Sequence, residues 1–198
     1  MRKLIMQLQL TLDGFYAGPN GEFDWFKLDQ ESWSERVQHD FPRIGTVLLG
    51  RRNYQGFRHY WPKVAERPDV TETDLVFSRW LDEVPKVVFS NTLNEAPWQN
   101  SRVSRDLIGE VTSLKAGHGG DLLIMHSSSI GQACMSRGLV DEFWLTVHPV
   151  AIGRGLPLFV QPIRLQLLES RVYPTGQVFL HYRTPASEDT GLGPASSP

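Results

Sequence analysis

A glycine-led apolar stretch followed by three serines is the feature that most constrains this chain. Residues 119–131 read GGDLLIMHSSSIG, and the apolar run at 122–125 is too short for a surface helix. Such a run is typical of a strand buried on both faces of a sheet. The serines at 127–129 then predict a capped helix start, where α/β proteins bind phosphate. We therefore expect a nucleotide pyrophosphate at this junction; the alternative is an ordinary buried strand followed by a serine-rich turn.

Composition limits the class of protein and its partners. The chain has 198 residues, 40% of them hydrophobic, which predicts one domain over 1–184 and a flexible Ser/Gly/Pro-rich tail over 185–198. A net charge of −2 gives no basis for a nucleic-acid or membrane-surface partner, and no apolar run approaches the ~20 residues that span a bilayer. Cys134 is the one cysteine, so neither an internal disulfide nor a cysteine-based metal site is expected. These features favour a cytoplasmic protein without a metal.

Strand and helix patterns alternate along most of the chain. Apolar or β-branched runs predict strands at 4–12, 46–49, 86–89, 122–125 and 143–147. Helical stripes follow the first, third and fourth of these strands, and a helix or a loop follows the second. From 60 to 82 we expect a long connection with a short helix near 78–81. Segments 164–173 and 178–182, joined around a Pro-Thr-Gly turn, predict a hairpin. The pattern predicts an α/β fold: a mixed, mostly parallel central sheet flanked by helices, with a C-terminal antiparallel hairpin.

Polar side chains follow several predicted strands. Arg51 and Arg52 come after the second strand, and guanidinium groups there suit phosphate, although solvated arginines are the alternative. The third strand is followed by Ser90, Asn91 and Thr92, which suit ribose or phosphate contacts or a simple turn. The glycine-bounded loop at 13–21 is expected either to cover a ligand or to form a plain surface turn.

Common catalytic motifs are absent from the sequence. It has no P-loop, no Gly-x-Gly-x-x-Gly after a strand and no Gly-x-Ser-x-Gly, and its histidines are dispersed. An esterase arrangement of the serines at 127–129 with His148 and Asp141 stays open, because the sequence does not fix its geometry.

Six segments in order resemble the dihydrofolate reductase-like superfamily. They are 10–18 (LTLDGFYAG), 24–26 (DWF), 49–54 (LGRRNY), 86–93 (KVVFSNTL), 119–142 with its GGD and GLVDE ends, and 149–159 (PVAIGRGLPLF). The closer similarity is to the branch that contains the reductase domain of the bifunctional riboflavin-biosynthesis protein. The resemblance covers nearly everything from residue 3 to about residue 183.

The resemblance implies an NADPH-dependent reductase of a small pterin- or pyrimidine-like heterocycle, often a homodimer, with the cofactor across the strand ends. By matching position, the implied cofactor contacts are Tyr16, Ala17, Gly50, Arg51, Asn53, Ser90, Asn91, Thr92, Met125, His126, Ser127, Ser128 and Ser129. The implied substrate contacts are Asp24, Trp25 and Thr146.

Two departures from the family pattern bear on function. His126 stands where most relatives have a glycine that lets the backbone approach the pyrophosphate, so the imidazole either blocks the site or adds a donor when protonated. Asn53 replaces a common threonine and keeps a hydrogen-bonding side chain. No catalytic residue is assigned: Asp24, Asp29, Glu31 or water are the candidate proton sources. A non-catalytic relative that binds a nucleotide or another small ligand is the alternative function.

Overall fold

The computed structural model describes residues 1–185, and the rest of the predicted tail lies outside the described residues. An eight-stranded central sheet has the order β5-β4-β3-β6-β1-β7-β10-β9, and a two-stranded sheet pairs β2 with β8. The strands are β1 Leu4–Thr11, β2 Phe15–Ala17, β3 Ile44–Gly50, β4 Lys86–Phe89, β5 Ser101–Ser104, β6 Asp121–Met125, β7 Glu142–His148, β8 Leu156–Pro157, β9 Gln166–Val172 and β10 Val178–Arg183.

Strand direction confirms the predicted fold class. The six strands from β5 to β7 run parallel, and β10 and β9 add the antiparallel hairpin. The two central strands β3 and β6 have helices on both sides of the sheet, which explains their uniformly apolar runs. Strand β7 lies between β1 and β10 with Phe143 and Trp144 buried, so this apolar strand belongs to the core and is not a subunit interface.

Five α-helices join the strands within residues 1–185. They are α1 Gln30–Glu35, α2 Arg51–Tyr60, α3 Glu72–Glu83, α4 Leu107–Ala116 and α5 Ser128–Met135. Side chains cap three of them, because Asp29, Thr71 and Asp106 each accept a hydrogen bond from a first-turn N–H. The residues before α2 and α5 make no such cap. A π-helical segment, Arg36–Asp40, and a 3₁₀ turn, Phe41–Arg43, continue the chain from α1 to β3.

Several elements differ from the sequence-based prediction. Helix α3 is longer than the short helix predicted at 78–81, because a Thr71–Asp74 capping box starts it at Glu72. Strand β5 was missed because it is a polar edge strand without an apolar alternation. The loop after β1 contains β2, which pairs with β8 because Gly155 leaves room for the carbonyl of Ala17.

An ion-pair network closes the edge of the sheet where the parallel strands begin. Glu142 accepts from Lys3 Nζ at 2.5 Å, His181 Nε2 at 2.9 Å and Arg43 Nη2 at 3.4 Å. Burial alone would raise the pKa of Glu142, but the hydrogen bonds from His181 and Lys3 lower it to about 2. This network lies at the opposite edge from the strand ends that carry the predicted nucleotide site.

Candidate functional site

Strands β3 and β6 end side by side, and one serine joins their ends. Ser127 Oγ accepts hydrogen bonds from Gly50 N at 2.9 Å and Asn53 Nδ2 at 3.2 Å, and donates to Met125 O at 3.2 Å. The prediction that these serines cap α5 is wrong for Ser127, because its hydroxyl reaches sideways to β3 instead of forward to its own helix. The first-turn N–H groups of α2 and α5 therefore have no side-chain cap.

Both uncapped helix starts open onto one cavity of about 630 Å³, which we name the junction cavity. Arg52 from the first turn of α2 lines it, and Phe57 stands on the same helix. Eight of the predicted cofactor contacts also line it: Tyr16, Ala17, Gly50, Asn53, His126, Ser127, Ser128 and Ser129. Two helix N-termini, an arginine and serine hydroxyls form a group of donors suited to a phosphate ester.

His126 occupies the left-handed backbone region, with φ of 52°. Its N–H donates to Gln7 O at 3.2 Å, and its carbonyl accepts from Asn53 Nδ2. Burial lowers the pKa of the imidazole to about 4, and the nearby Arg36 cation acts in the same direction. The imidazole is therefore neutral at pH 7, which removes the possibility that it serves as a cationic donor in the unliganded protein.

A second cavity of about 400 Å³, the aromatic cavity, adjoins the first. One wall of this cavity is aromatic and is formed by Trp33, Phe41, Trp61 and Phe77. The rings of Trp33 and Phe77 meet edge to face with their centroids 4.7 Å apart, and those of Trp61 and Phe77 do so with centroids 4.5 Å apart. The two cavities share four lining residues: Gln9, Phe23, Phe57 and His126. The two cavities thus meet at these four side chains.

The polar groups of the aromatic cavity were missed by sequence reasoning. Gln7 and Gln9 line it from β1, and Arg36 lines it from the π-helical segment. A signal for the glutamines exists, because two polar residues two positions apart interrupt an otherwise buried strand. Arg36 has no such signal, since its placement depends on a π-helical turn that no local pattern indicates.

A rim beside the junction cavity holds three further predicted residues. Arg51 Nη1 donates to Thr92 Oγ1 at 3.2 Å, and Ser90 Oγ accepts from Thr92 N at 3.2 Å and Leu93 N at 3.0 Å. These side chains come together from α2 and the turn after β4 but do not line the cavity itself. Asn91 is exposed on the same turn, and Met125 lines the aromatic cavity instead.

The predicted substrate contacts are not brought together. Asp24 is exposed, Trp25 packs its ring 5.2 Å from that of His148, and Thr146 is 2% exposed beside Gln9 on the neighbouring strand. None of the three lines either cavity, and their neighbours Phe23 and Phe26 do so instead.

Asp29 has a structural task in place of a catalytic one. It is 4% exposed and accepts from Ser32 N at 2.9 Å and Thr175 Oγ1 at 2.7 Å. Burial alone would raise the pKa of Asp29, but these hydrogen bonds hold it below its usual value. Asp29 is therefore ionised at neutral pH and has no proton to give, while Glu31 is exposed on α1.

The structure contradicts the esterase arrangement. Asp141 precedes β7 and accepts from Leu4 N at 2.6 Å and Lys115 Nζ at 2.5 Å, whereas His148 ends the same strand. Seven extended residues separate them by roughly 23 Å, far beyond hydrogen-bond reach.

Over residues 1–185, no cluster of His, Cys, Asp and Glu side chains is placed to hold a metal ion, and no helix in that range is long and apolar enough to cross a membrane.

Comparison with known proteins finds relatives of this chain by sequence and by structure. The model of the RibD C-terminal domain family matches residues 2–179. The uncharacterized protein YyaP of Bacillus subtilis is 37% identical over 184 residues, which cover 91% of this chain and 94% of that protein. A second B. subtilis protein, YwjB, is 27% identical over 91% of this chain and 97% of its own length.

Solved structures agree with the fold. A putative riboflavin biosynthesis protein from Shewanella sp. PV-4 superposes with a TM-score of 0.69 at 20% identity, covering 93% of this chain and 99% of that one. A pyrimidine reductase-like protein from Corynebacterium diphtheriae gives a TM-score of 0.60 at 14% identity, covering 93% and 92%. Because the family model matches residues 2–179 of the 198-residue chain, the chain belongs to the RibD C-terminal domain family.

Proposed function

We propose that the protein is an NADPH-dependent reductase that binds the cofactor in the junction cavity and a small pterin- or pyrimidine-like heterocycle in the aromatic cavity. The observation that carries this proposal is the wall that the two cavities share at Gln9, Phe57 and His126. Hydride transfer needs donor and acceptor carbons in direct contact, and adjoining cavities allow that contact.

The residues of the junction cavity fit a dinucleotide phosphate. The uncapped starts of α2 and α5 would hold the pyrophosphate together with Ser128 and Ser129, because their N–H groups have no partner within their own helices. Arg51 and Thr92 on the rim would hold the 2′-phosphate that distinguishes NADPH from NADH. Tyr16 and Ala17 would border the nicotinamide from β2.

The bound reduced nicotinamide would supply the hydride, and the chain would supply alignment and exclusion of water. The aromatic cavity is suited to this task because Trp33, Phe57 and Trp61 line it and offer apolar surface to a flat ring. The cavity carboxyls are engaged elsewhere. Asp74 accepts from Thr71 N at 3.0 Å and from Trp33 Nε1 at 2.9 Å, and the hydrogen bonds from Arg67 hold the pKa of Asp69 below its usual value. Water is therefore the proton donor in this proposal.

A non-catalytic ligand-binding role is the second candidate, and His126 is the observation that favours it. The imidazole lines both cavities at the position where the family resemblance implies a glycine. A side chain there narrows the path by which the nicotinamide reaches the substrate ring.

A fluorescence titration with NADPH, followed by assays of NADPH oxidation with pterin and pyrimidine substrates, tests both candidates. Saturable binding with turnover supports the reductase, and binding without turnover on any of these substrates supports the second candidate. Absence of binding at millimolar NADPH would refute the reductase.

A homodimer and a cytoplasmic location remain predictions from the family resemblance and the composition. The edge strand β9 offers a face for a second copy, since Leu167, Leu168 and Val172 are exposed on it. Light scattering coupled to size-exclusion chromatography measures the oligomeric state.

A further inference from the structure

Arg36 is a buried cation whose donors are unused. The side chain is 3% exposed and lines the aromatic cavity, yet none of its three nitrogens donates a hydrogen bond to any residue in the described range 1–185. A buried guanidinium without acceptors is rare because desolvation of its N–H groups is unfavourable. The site is therefore incomplete without an acceptor from outside the chain.

The surroundings of Arg36 keep it in place without satisfying it. Asp40 Oδ2 lies 3.8 Å from Arg36 Nη1, an ion pair beyond hydrogen-bond distance. The guanidinium carbon stands 4.7 Å from the centre of the Phe179 ring and 5.5 Å from that of Trp144. These faces attract the cation but accept no N–H hydrogen bond of normal strength, so the in-plane donors stay available.

Gln7 presents the complementary gap in the same cavity. It is 3% exposed, lines the aromatic cavity, and its Oε1 accepts no hydrogen bond from the described residues. The neighbouring Gln9 is already engaged, with its Oε1 2.8 Å from His148 Nε2. Among the buried side chains that line the cavity, Arg36 thus offers unpaired donors and Gln7 an unpaired acceptor; the other unpaired acceptor near Arg36, Asp40 Oδ2, does not line the cavity.

We propose that Arg36 and Gln7 are specificity-determining residues that together recognise a ring lactam, whose carbonyl oxygen accepts from Arg36 and whose ring N–H donates to Gln7. The aromatic walls accommodate the flat ring, and the polar pair fixes which edge of it enters. The inference rests on the proposed function for its assignment of this cavity to substrate. It adds that the cavity rejects a ring with an amidine edge, in which the donor and acceptor positions are reversed. The amide of Gln7 can rotate to donate to such a ring, but Arg36 has no acceptor for the amino group that replaces the carbonyl.

Two rings of the same shape test the proposal: pterin, which carries the 4-oxo lactam, and 2,4-diaminopteridine, which carries an amidine there. Trp33 and Trp61 line the cavity, so quenching of tryptophan fluorescence, corrected for absorption by the ligand, reports binding without cofactor or turnover. We expect pterin to bind about tenfold or more tightly than the diamino ring. Equal affinity, tighter binding of the diamino ring, or no saturable quenching by either ring would overturn the proposal.

Variants assign the effect to the two side chains. Gln7→Met and Arg36→Met should each weaken pterin binding about tenfold while changing the affinity for 2,4-diaminopteridine little. Gln7→Met should leave the melting temperature unlowered, because the acceptor it removes has no partner. In Arg36→Met the remaining Asp40 keeps Arg171 at 3.8 Å. If Arg36→Met does not fold, Gln7→Met alone decides the outcome.

The matched control is Gln38→Met, which makes the same chemical change at an exposed position outside both cavities. It should bind pterin as the wild type does. Unchanged pterin affinity in Gln7→Met, or an equal loss in Gln38→Met, would refute the assignment. Because the titration contains no NADPH, failure here is distinguishable from failure of the proposed reductase, which would appear as no NADPH binding or oxidation.

Discussion

Replacing Ser127 by alanine should weaken both the fold and the proposed cofactor site. Ser127 is only 5% exposed, and its hydroxyl makes three hydrogen bonds. It accepts from Gly50 N and Asn53 Nδ2 and donates to Met125 O. A buried donor left unpaired costs about 1–3 kcal/mol. Gly50 and Asn53 are only half-buried, and Asn53 keeps its bond to the carbonyl of His126, so water and this bond offset part of the loss. We therefore expect Ser127→Ala to lower the free energy of unfolding by about 2 kcal/mol.

Urea unfolding followed by tryptophan fluorescence measures this change, which corresponds to a fall in melting temperature of roughly 4–8 °C for a chain of this size. The matched control is Ser129→Ala, since Ser129 is exposed in the first turn of α5 and lines the same cavity. The control should keep its stability within about 0.5 kcal/mol of the wild type, and both variants should bind NADPH more weakly. Equal stability of Ser127→Ala and the control would refute the role given to Ser127 in joining β3 to β6.

Three further perturbations test other parts of the structure. The fold lowers the pKa of Glu142 from 4.5 to about 2, so the ionised carboxylate stabilises the protein fully above about pH 4.5, and this stabilisation is lost as the pH falls toward 2. In Glu142→Gln the free energy of unfolding, measured as a function of pH, should therefore fall less between pH 4.5 and 2 than in the wild type. Gly155→Ala should destabilise the protein, because the added Cβ would collide with the Ala17 carbonyl. Gly56→Ala, whose Cβ would lie in open space on α2, should instead stabilise the protein by about 0.5–1 kcal/mol. Thermal melts of the two variants measure both changes. His126→Gly should tighten NADPH binding if the imidazole narrows the junction cavity, and unchanged or weaker binding in a fluorescence titration would contradict that reading.

The central strands and the strand–helix junction at β6 and α5 could be predicted because their sequence signals are local. The apolar run at 122–125 and the serines after it identify β6 and the start of α5 without any knowledge of distant residues. The family resemblance then names thirteen cofactor contacts, eight of which line the junction cavity. Their role in binding a cofactor stays a prediction.

The parts that escaped prediction depend on long-range packing. Ser127 reaches across to Gly50, 77 positions away, and nothing near either residue indicates that pairing. Arg36 enters the aromatic cavity through a π-helical turn, while Asp24 and Trp25 lie in a segment whose path is set by contacts with His148. Side chains from loops and irregular turns line most of the aromatic cavity, so their positions follow from the assembled fold rather than from spacing in the sequence.

A structure of the protein with NADPH bound tests the central claim most directly. The account predicts the pyrophosphate against the starts of α2 and α5, between Gly50 and Ser128, and the nicotinamide at the wall formed by Gln9, Phe57 and His126, with C4 facing the aromatic cavity. A cofactor bound outside the junction cavity, or a nicotinamide separated from the aromatic cavity by the imidazole of His126, would contradict it.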